Sequence, residues 1–274
     1  MFSENLHRRT PRPTNTRAAA ATAIGAALGS VLALTPLSAS AEIVGESVIY
    51  EVDGETFEGY LSRNTALGDD RPTVVIVHDW DGLTEYEMRR ADMLAAQGYA
   101  AFAIDVYGQD VRPQSTEESQ EASGAMYGDR DTFRARLMGG LEALGDIDGV
   151  DDDDVVVIGY CFGGAGVLEM ARAGADDVEG YVVFHGGLGT PEGQDYGGLD
   201  EPMLLLHGSA DPVSSMADLA VLTEELDGAG VDHRAMIFGG VGHAFTVWSS
   251  GDYDLEADRA SWQAMLDFLD ETLD

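Results

Sequence analysis

One cysteine stands in a sequence pattern that is typical of nucleophilic catalysis. Cys161 is the centre of Gly159-Tyr160-Cys161-Phe162-Gly163-Gly164, a G-x-nucleophile-x-G motif in which cysteine replaces the commoner serine. Glycines flank such a nucleophile because the turn is sharp and neighbouring chains approach too closely for a Cβ. The motif predicts a strand before it and a helix after it, which puts the sulfur at a helix N-terminus, where the thiolate is favoured. An inert buried cysteine is the alternative.

An acid and a histidine follow this cysteine in an informative order. Asp211, in Leu206-His207-Gly208-Ser209-Ala210-Asp211-Pro212, comes 50 residues after Cys161, and His243, in Gly239-Gly240-Val241-Gly242-His243-Ala244-Phe245, comes 32 residues later. Each lies just past a strand-like apolar run. Nucleophile, acid and histidine in this order are the pattern of α/β-hydrolases, so the three residues are predicted to form a catalytic triad. Turn formation by Asp211 and a structural glycine-rich loop around His243 are the alternatives.

Strand-like and helix-like segments alternate along the chain and must position these residues. Predicted strands are Ser47–Val52, Phe57–Arg63, Thr73–Val77, Ala100–Ile104, Val155–Ile158, Gly180–Phe184, Met203–Leu206 and His233–Phe238. Predicted helices are Tyr86–Gln97, Thr132–Leu144, Phe162–Arg172, Ala217–Leu226 and Asp254–Leu273, with one more inside the polar, irregular segment 106–128. The alternation predicts an α/β fold with a mostly parallel central sheet and helices on both faces. Asp53-Gly54 predicts an N-terminal β-hairpin.

Four separated segments resemble the dienelactone hydrolase (carboxymethylenebutenolidase-like) family of the α/β-hydrolase superfamily. The nucleophile, acid and histidine segments match three motifs of that family. The segment Val77-His78-Asp79-Trp80-Asp81-Gly82-Leu83, followed by Gly98-Tyr99-Ala100 and Asp105-Val106-Tyr107-Gly108, resembles its first strand–helix–strand unit. The likeness covers about residues 43–274. It implies the α/β-hydrolase fold and an enzyme that cleaves ester or lactone bonds without a cofactor.

The resemblance also implies roles for individual residues. Cys161 would attack the ester or lactone carbonyl and form an acyl-thioester, His243 would transfer the proton, and Asp211 would hold the imidazole tautomer. The backbone N–H groups of Trp80 and Phe162 would form the oxyanion hole.

Asp79 departs from the family pattern by one methylene. It matches a position at which well-known members carry a glutamate that contacts the thiol and modulates its ionisation. The shorter side chain leaves a solvated loop carboxylate as the alternative for Asp79.

A second departure concerns the substrate. Members that act on dienelactone hold its carboxylate with arginines, one of them shortly after the histidine, whereas Thr246-Val247-Trp248 follows His243 here and segment 106–128 contains only Arg112. Without a bidentate guanidinium, a small neutral ester or lactone is the expected substrate. Aromatic side chains are predicted to line an apolar pocket, with core packing as the alternative: Trp80, Tyr107, Phe162, Phe245 and Trp248.

The composition excludes several other functions. The 274 residues include 50 Asp and Glu against 15 basic residues, all Arg, for a net charge of −35. Such a field repels nucleic acids and anionic membranes, and it predicts a salt-adapted host. Apolar residues make up 45%, enough for a large core. His78, His185 and His207 have no Cys or acidic partner at ligand spacing, so no metal site is expected.

The N-terminal segment is predicted to be a secretory signal peptide. Residues 1–41 contain an arginine-rich start, a small apolar stretch and Ala39-Ser40-Ala41 as a cleavage site, which implies an exported, periplasmic or extracellular protein. A membrane anchor and a disordered tail are the alternatives. Residues 42–274 are predicted to be one domain that acts as a monomer. A thioesterase or peptidase with the same triad, and a non-catalytic binding or thiol-redox protein on this fold, remain alternative functions.

Overall fold

A computed structural model describes residues 42–69 and 71–273, so the predicted signal peptide, 1–41, lies outside the described residues. The strands are β1 (Ile43–Val52), β2 (Glu55–Asn64), β3 (Thr73–Val77), β4 (Ala100–Ile104), β5 (Val155–Tyr160), β6 (Val178–Phe184), β7 (Met203–Gly208) and β8 (His233–Phe238). The helices are α1 (Glu85–Gln97), α2 (Thr116–Gly128), α3 (Arg130–Glu142), α4 (Phe162–Ala173), α5 (Met216–Ala229) and α6 (Leu255–Thr272). Short 3₁₀ turns cover Thr65–Leu67 and Ala143–Asp146.

The strands form one sheet in the order β1-β2-β4-β3-β5-β6-β7-β8. Strands β1, β2 and β4 pair antiparallel, and all pairs from β4 onward through β3 to β8 are parallel. The predicted α/β architecture and the N-terminal hairpin are therefore confirmed. The hairpin turns at Asp53 and Gly54, whose φ angles of 52° and 84° give the left-handed geometry that Asp-Gly favours.

The central strands are apolar because helices cover both faces of the sheet. In β3, Val75 and Val77 point into one core cluster while Val74 and Ile76 point into the other, and all four are fully buried. Parallel strands of this kind bring their carboxyl ends to one edge of the sheet. The segments after β3, β5, β7 and β8, which carry the predicted site residues, therefore start from the same edge.

Several predicted bounds differ from the observed ones. β1 starts four residues before the predicted Ser47, since most of its side chains are exposed on both faces and give no alternation. The helix predicted at Thr132–Leu144 is α3, which starts at Arg130 with Asp129 as its N-cap and ends in a 3₁₀ turn. Within the described residues, no helix is both long enough and apolar enough to cross a membrane.

Candidate active site

Cys161 occupies a strained turn between β5 and α4. Its φ of 53° lies in the left-handed region, which is unusual for a residue with a side chain. Its N–H donates to the carbonyl of Phe184 (3.0 Å) and its carbonyl accepts from Ala165 (3.2 Å), so the turn is fixed by the sheet and by the helix. A Cβ on Gly163 would lie 2.1 Å from the Val77 carbonyl oxygen, which explains why glycine is required next to the nucleophile turn.

The structure brings Cys161, His243 and Asp211 into one hydrogen-bonded chain. The Nε2 atom of His243 lies 3.0 Å from the sulfur of Cys161, and its Nδ1 lies 2.7 Å from Oδ2 of Asp211. The other Asp211 oxygen accepts the N–H groups of Val213 (2.8 Å) and Ser214 (3.0 Å). Burial alone would raise the pKa of Asp211, but the hydrogen bonds from His243 and Ser214 outweigh it and lower the pKa. Asp211 is therefore a carboxylate that holds the proton of His243 on Nδ1 and leaves Nε2 free to accept one.

The surroundings of the sulfur favour its protonated form. Burial raises the pKa of the Cys161 thiol well above its usual range, and the neighbouring Asp79 carboxyl raises it further. The Phe162 N–H at the start of α4 acts in the opposite direction but does not dominate. The helix N-terminus therefore favours the thiolate in the predicted direction, but burial and the Asp79 carboxyl have the larger effect on the thiol pKa. The Nε2 atom of His243, 3.0 Å from the sulfur, is the side-chain base placed to accept a proton from it.

Asp79 lies inside the site rather than on the surface. Its side chain is buried, its Oδ1 accepts the Trp80 N–H at 2.6 Å, and its own N–H donates to Oε1 of Glu87 (3.2 Å). Burial and the charge of Asp81 raise the pKa of Asp79 to about 6. These observations argue against a solvated loop carboxylate. They also show that the Trp80 N–H, a predicted oxyanion donor, is occupied by the Asp79 carboxylate at rest.

A cavity of about 500 Å³ opens over the sulfur. It is lined by Asp79, Trp80, Asp81, Ser123, Tyr127, Cys161, Phe162, Val213, His243, Ala244, Val247, Ser249 and Ser250. Ser123 and Tyr127 come from α2 and were missed by sequence reasoning. Their only signal was a place in the irregular segment 106–128, because nothing in that segment indicated which face of α2 would turn towards Cys161.

Three aromatic residues predicted to line the pocket do not do so. Tyr107 is buried beneath the site, where its hydroxyl donates to the Trp80 carbonyl (2.9 Å). Phe245 is fully buried against the ring of His185. Trp248 is partly exposed beside the cavity and packs on Tyr86. The prediction was wrong for these three because proximity to a motif in sequence does not fix the direction of a side chain.

No arginine lines the cavity among the described residues. Arg112 is tied elsewhere, since its guanidinium donates to Oδ2 of Asp105 (3.1 Å) and to the Gly108 carbonyl (2.8 Å). The Arg130 guanidinium lies over the Tyr127 ring, 4.8 Å from its centroid, and pairs with the buried Glu169. Among the described residues, the lining of the cavity therefore offers carboxylates but no guanidinium to a bound substrate.

A second polar network, also missed by sequence reasoning, supports the loop that carries His243. The Thr246 carbonyl accepts from the buried Arg90 (2.8 Å), which also pairs with Asp258. The Thr246 hydroxyl lies 2.8 Å from Nε2 of His185 and 2.7 Å from the Tyr86 hydroxyl. These contacts fix the loop three residues beyond His243. Within residues 42–69 and 71–273, no group of three His, Cys, Asp or Glu side chains could hold a metal ion.

A sharp turn that carries a cysteine after β5, an acid after β7 and a histidine after β8, on a mostly parallel sheet, are the arrangement of α/β-hydrolases. A solved esterase of Thermogutta terrifontis shares this fold, with a TM-score of 0.62 at 18% identity over 83% of this chain and 92% of that one. The model of the dienelactone hydrolase family matches residues 57–273, and the chain belongs to that family. It is accordingly a carboxylic-ester hydrolase.

Two further relatives agree with this assignment. The crystal structure of P91 from metagenomic libraries, described as a dienelactone hydrolase-like promiscuous phosphotriesterase, has a TM-score of 0.81 at 31% identity and covers 86% of this chain and 100% of its own. A Synechocystis protein named "Putative carboxymethylenebutenolidase" is 25% identical over 223 residues, which are 75% of this chain and 87% of that protein.

Proposed function

We propose that this hydrolase cleaves small neutral esters or lactones with Cys161 as nucleophile, His243 as general base and acid, and Asp211 as the group that orients His243. The observation that carries the proposal is the continuous hydrogen-bonded chain from sulfur to imidazole to carboxylate at the floor of the cavity. Such a chain lets a protonated thiol be activated only when a substrate carbonyl is in place.

The reaction proceeds in two halves. The Cys161 thiol gives its proton to Nε2 of His243 while the sulfur bonds to the carbonyl carbon, and the carbonyl oxygen becomes an oxyanion. The oxyanion collapses, the C–O bond to the alcohol breaks, and the alcohol leaves with the proton from His243. The resulting acyl-thioester is attacked by water, whose proton passes to His243. Collapse of this second intermediate releases the carboxylic acid and returns the proton to the sulfur.

Two backbone N–H groups are suited to stabilise the oxyanion. The Phe162 N–H faces the sulfur from the start of α4, and the Trp80 N–H lies across the site on the loop after β3. The Trp80 N–H donates to Asp79 at rest, so the Asp79 carboxyl has to turn away as the substrate oxygen arrives. The Trp80 N–H thereby exchanges the Asp79 carboxylate for the substrate oxyanion, whose negative charge forms only during the reaction.

The electrostatics of the cavity favour neutral substrates. Asp79 and Asp81 line it, and Asp211 lies directly behind His243. A carboxylate-bearing substrate would meet these acids without a guanidinium to compensate them. Neutral phosphotriesters are a second candidate class, supported by the same acidic, arginine-free cavity and by the similarity to P91, which is described as a promiscuous phosphotriesterase.

The test uses p-nitrophenyl acetate, with paraoxon as the phosphotriester. Because Cys161 is the only cysteine, iodoacetamide should modify one site and abolish turnover together with that modification. Cys161→Ala should reduce kcat at least about 10³-fold with the Tm unchanged within a few degrees. Cys161→Ser should keep a small residual rate, since an oxygen nucleophile depends more on His243. Wild-type turnover in Cys161→Ala would overturn the assignment.

A further inference from the structure

We propose that His78, a residue outside the triad, is a positioning residue that aligns both backbone N–H donors of the oxyanion hole. The inference rests on the proposed function, because it concerns where the substrate oxyanion is bound. His78 follows β3 directly and is fully buried. It is not among the residues that line the cavity, so its effect must pass through the groups that it contacts.

The hydrogen bonds of His78 fix its tautomer. Its Nε2 accepts the N–H of Val106 at 3.2 Å, since a backbone N–H can only donate. Burial lowers the pKa of His78, so the ring is neutral and carries one proton, which must reside on Nδ1. The Nδ1–H therefore donates to the Asp79 carbonyl, 2.6 Å away. The ring thus bridges the chain just after β3 to the chain just after β4.

The Asp79 carbonyl belongs to the same planar peptide as the Trp80 N–H. In a trans peptide the C=O and N–H point in opposite directions, so fixing the carbonyl direction also fixes the direction of the N–H. The next carbonyl, that of Trp80, accepts the Tyr107 hydroxyl at 2.9 Å. The peptide that bears the first oxyanion donor is consequently held on its far side by the buried imidazole, with the Gly82 N–H as a second, longer donor to the same carbonyl (3.1 Å). It cannot rotate without breaking both bonds.

The second donor is linked to the same ring by stacking. The His78 ring lies almost parallel to that of Phe162, with centroids 5.7 Å apart and an interplanar angle of 18°. Tyr107 packs edge-on against His78 (4.7 Å) and also contacts the Phe162 ring (5.4 Å), so the three rings form one cluster. Since the N–H of Phe162 is the second oxyanion donor, the imidazole sets the separation between the two donor-bearing segments.

This role predicts a kinetic signature that loss of packing would not give. Hydrolysis passes through an oxyanion, whereas alkylation of Cys161 by iodoacetamide does not develop one at a carbonyl. A residue that only aligns the donors should therefore affect kcat for ester hydrolysis, and the affinity for a trifluoromethyl ketone that forms a tetrahedral adduct, but not KM or the alkylation rate.

The experiment compares His78→Asn with His78→Gln. The Asn side chain can present an amide N–H where Nδ1 lies, whereas Gln reaches the Nε2 position and leaves the Asp79 carbonyl with the Gly82 N–H alone, 3.1 Å away. We expect His78→Asn to keep kcat within tenfold, and His78→Gln to lose about 10²–10³-fold in kcat and in trifluoromethyl ketone affinity. In both variants KM and the alkylation rate should stay within about threefold of wild type.

Three outcomes would overturn the proposal: equal loss in the two variants, equal retention in the two variants, or parallel loss of hydrolysis and alkylation. A variant that does not fold counts as parallel loss, since packing would then be its main contribution. Failure of the proposed function is seen separately, because wild-type enzyme would then turn over the ester no faster than Cys161→Ala. The kcat ratios of the His78 variants to wild type are calculated after the rate of Cys161→Ala has been subtracted from each.

Discussion

At the scale of single residues, the site is governed by how charge is placed around one sulfur. The thiol is buried beside the Asp79 carboxyl, and both conditions oppose formation of a thiolate at rest. Asp211, by contrast, is held ionised by donors, and in the proposed mechanism it stabilises the positive charge that His243 acquires. Two carboxylates within one small site thus have opposite effects on the nucleophile, one through His243 and one directly.

The first residue-scale prediction concerns Asp79→Asn. Removing the negative charge beside the thiol should raise the iodoacetamide alkylation rate of Cys161 roughly tenfold at pH 8, because a partly buried unit charge contributes more than ~1.4 kcal/mol to its neighbour's ionisation. The pKa of Asp79 is about 6, so the carboxyl is neutral below that pH and charged above it. The ratio of variant to wild-type rates should therefore approach one near pH 5 and grow as the pH rises through 6.

Asp81→Asn is the matched control for that measurement. Asp81 lines the same cavity and raises the pKa of Asp79, but it is not among the charges that act on the thiol directly. Its substitution should change the alkylation rate by less than about threefold. A ratio for Asp79→Asn that is independent of pH, or below one, would contradict the charge argument.

At the scale of elements, the nucleophile turn and its helix are held by close backbone contacts and by an ion cluster. Gly159 and Gly163 let β5, α4 and β3 approach within contact distance. On the outer side of α4, the fully buried Glu169 pairs with three arginines, which come from α3 and from the end of α4. These three arginines are Arg130, Arg134 and Arg172. Helix α4 is thereby fixed on both sides, which keeps Cys161 in its strained conformation.

Gly163→Ala tests the element-scale argument. The new Cβ would meet the Val77 carbonyl, a backbone atom that cannot rotate away, so β3 and α4 must separate. We expect a loss of about 3 kcal/mol or more in stability, which corresponds to a fall in Tm of roughly 6–12 °C for a chain of this size.

Gly124→Ala provides the control within another helix. Gly124 lies in α2, and a Cβ there would meet nothing within 4 Å, so this change should raise Tm slightly by removing backbone freedom from the unfolded chain. Differential scanning fluorimetry on both variants is sufficient. Equal Tm values for the two would show that the close approach at Gly163 is not required.

The elements that the sequence predicts best are those whose burial is uniform. β3, β4 and β5 are apolar throughout and bounded by turns, so their existence and order follow from pattern alone. The start of β1 was missed because exposed strands carry no apolar period. Cys161, Asp211 and His243 could be found because motifs mark them, whereas Tyr127 and His78 could not be assigned to the site, because α2 packing and a ring tautomer are tertiary properties.

At the scale of the whole molecule, acidic charge dominates. The net charge is −35, and nine arginines of the described residues are already paired with carboxylates. Most acidic side chains therefore have no cation to neutralise them and repel one another across the surface. This repulsion lowers the stability of the compact folded state, and it acts over the Debye length of the solvent.

Stability should accordingly rise with salt. The Debye length falls from about 30 Å at 0.01 M to about 3 Å at 1 M, so the Tm should increase over this range of NaCl, most steeply below about 0.3 M. Sucrose at equal osmolality is the control, because it is excluded from protein surfaces without screening charge. A Tm that is flat or falls with NaCl would show that the acidic surface does not limit stability.

Substrate charge is the second whole-molecule prediction. A neutral lactone should be hydrolysed with a kcat/KM about tenfold to hundredfold above that of a carboxylate-bearing analogue of equal size, since one missing charge-assisted hydrogen bond corresponds to about 1.5–3 kcal/mol. Raising NaCl to 1 M should narrow the gap, because long-range repulsion by the surface contributes to it. Preference for the carboxylate substrate at both salt concentrations would reveal a cationic clamp.

The raised pKa of the Cys161 thiol also bears on how long the enzyme survives. Peroxides attack thiolates, and a chain with one cysteine has no second thiol that could rescue a sulfenic acid as a disulfide. A sulfur that stays protonated between turnovers is a poor target for such oxidants. If Cys161 ionises only when a substrate is bound, as in the proposed mechanism, the same burial and the same Asp79 carboxyl confine the period of oxidative vulnerability to catalysis itself.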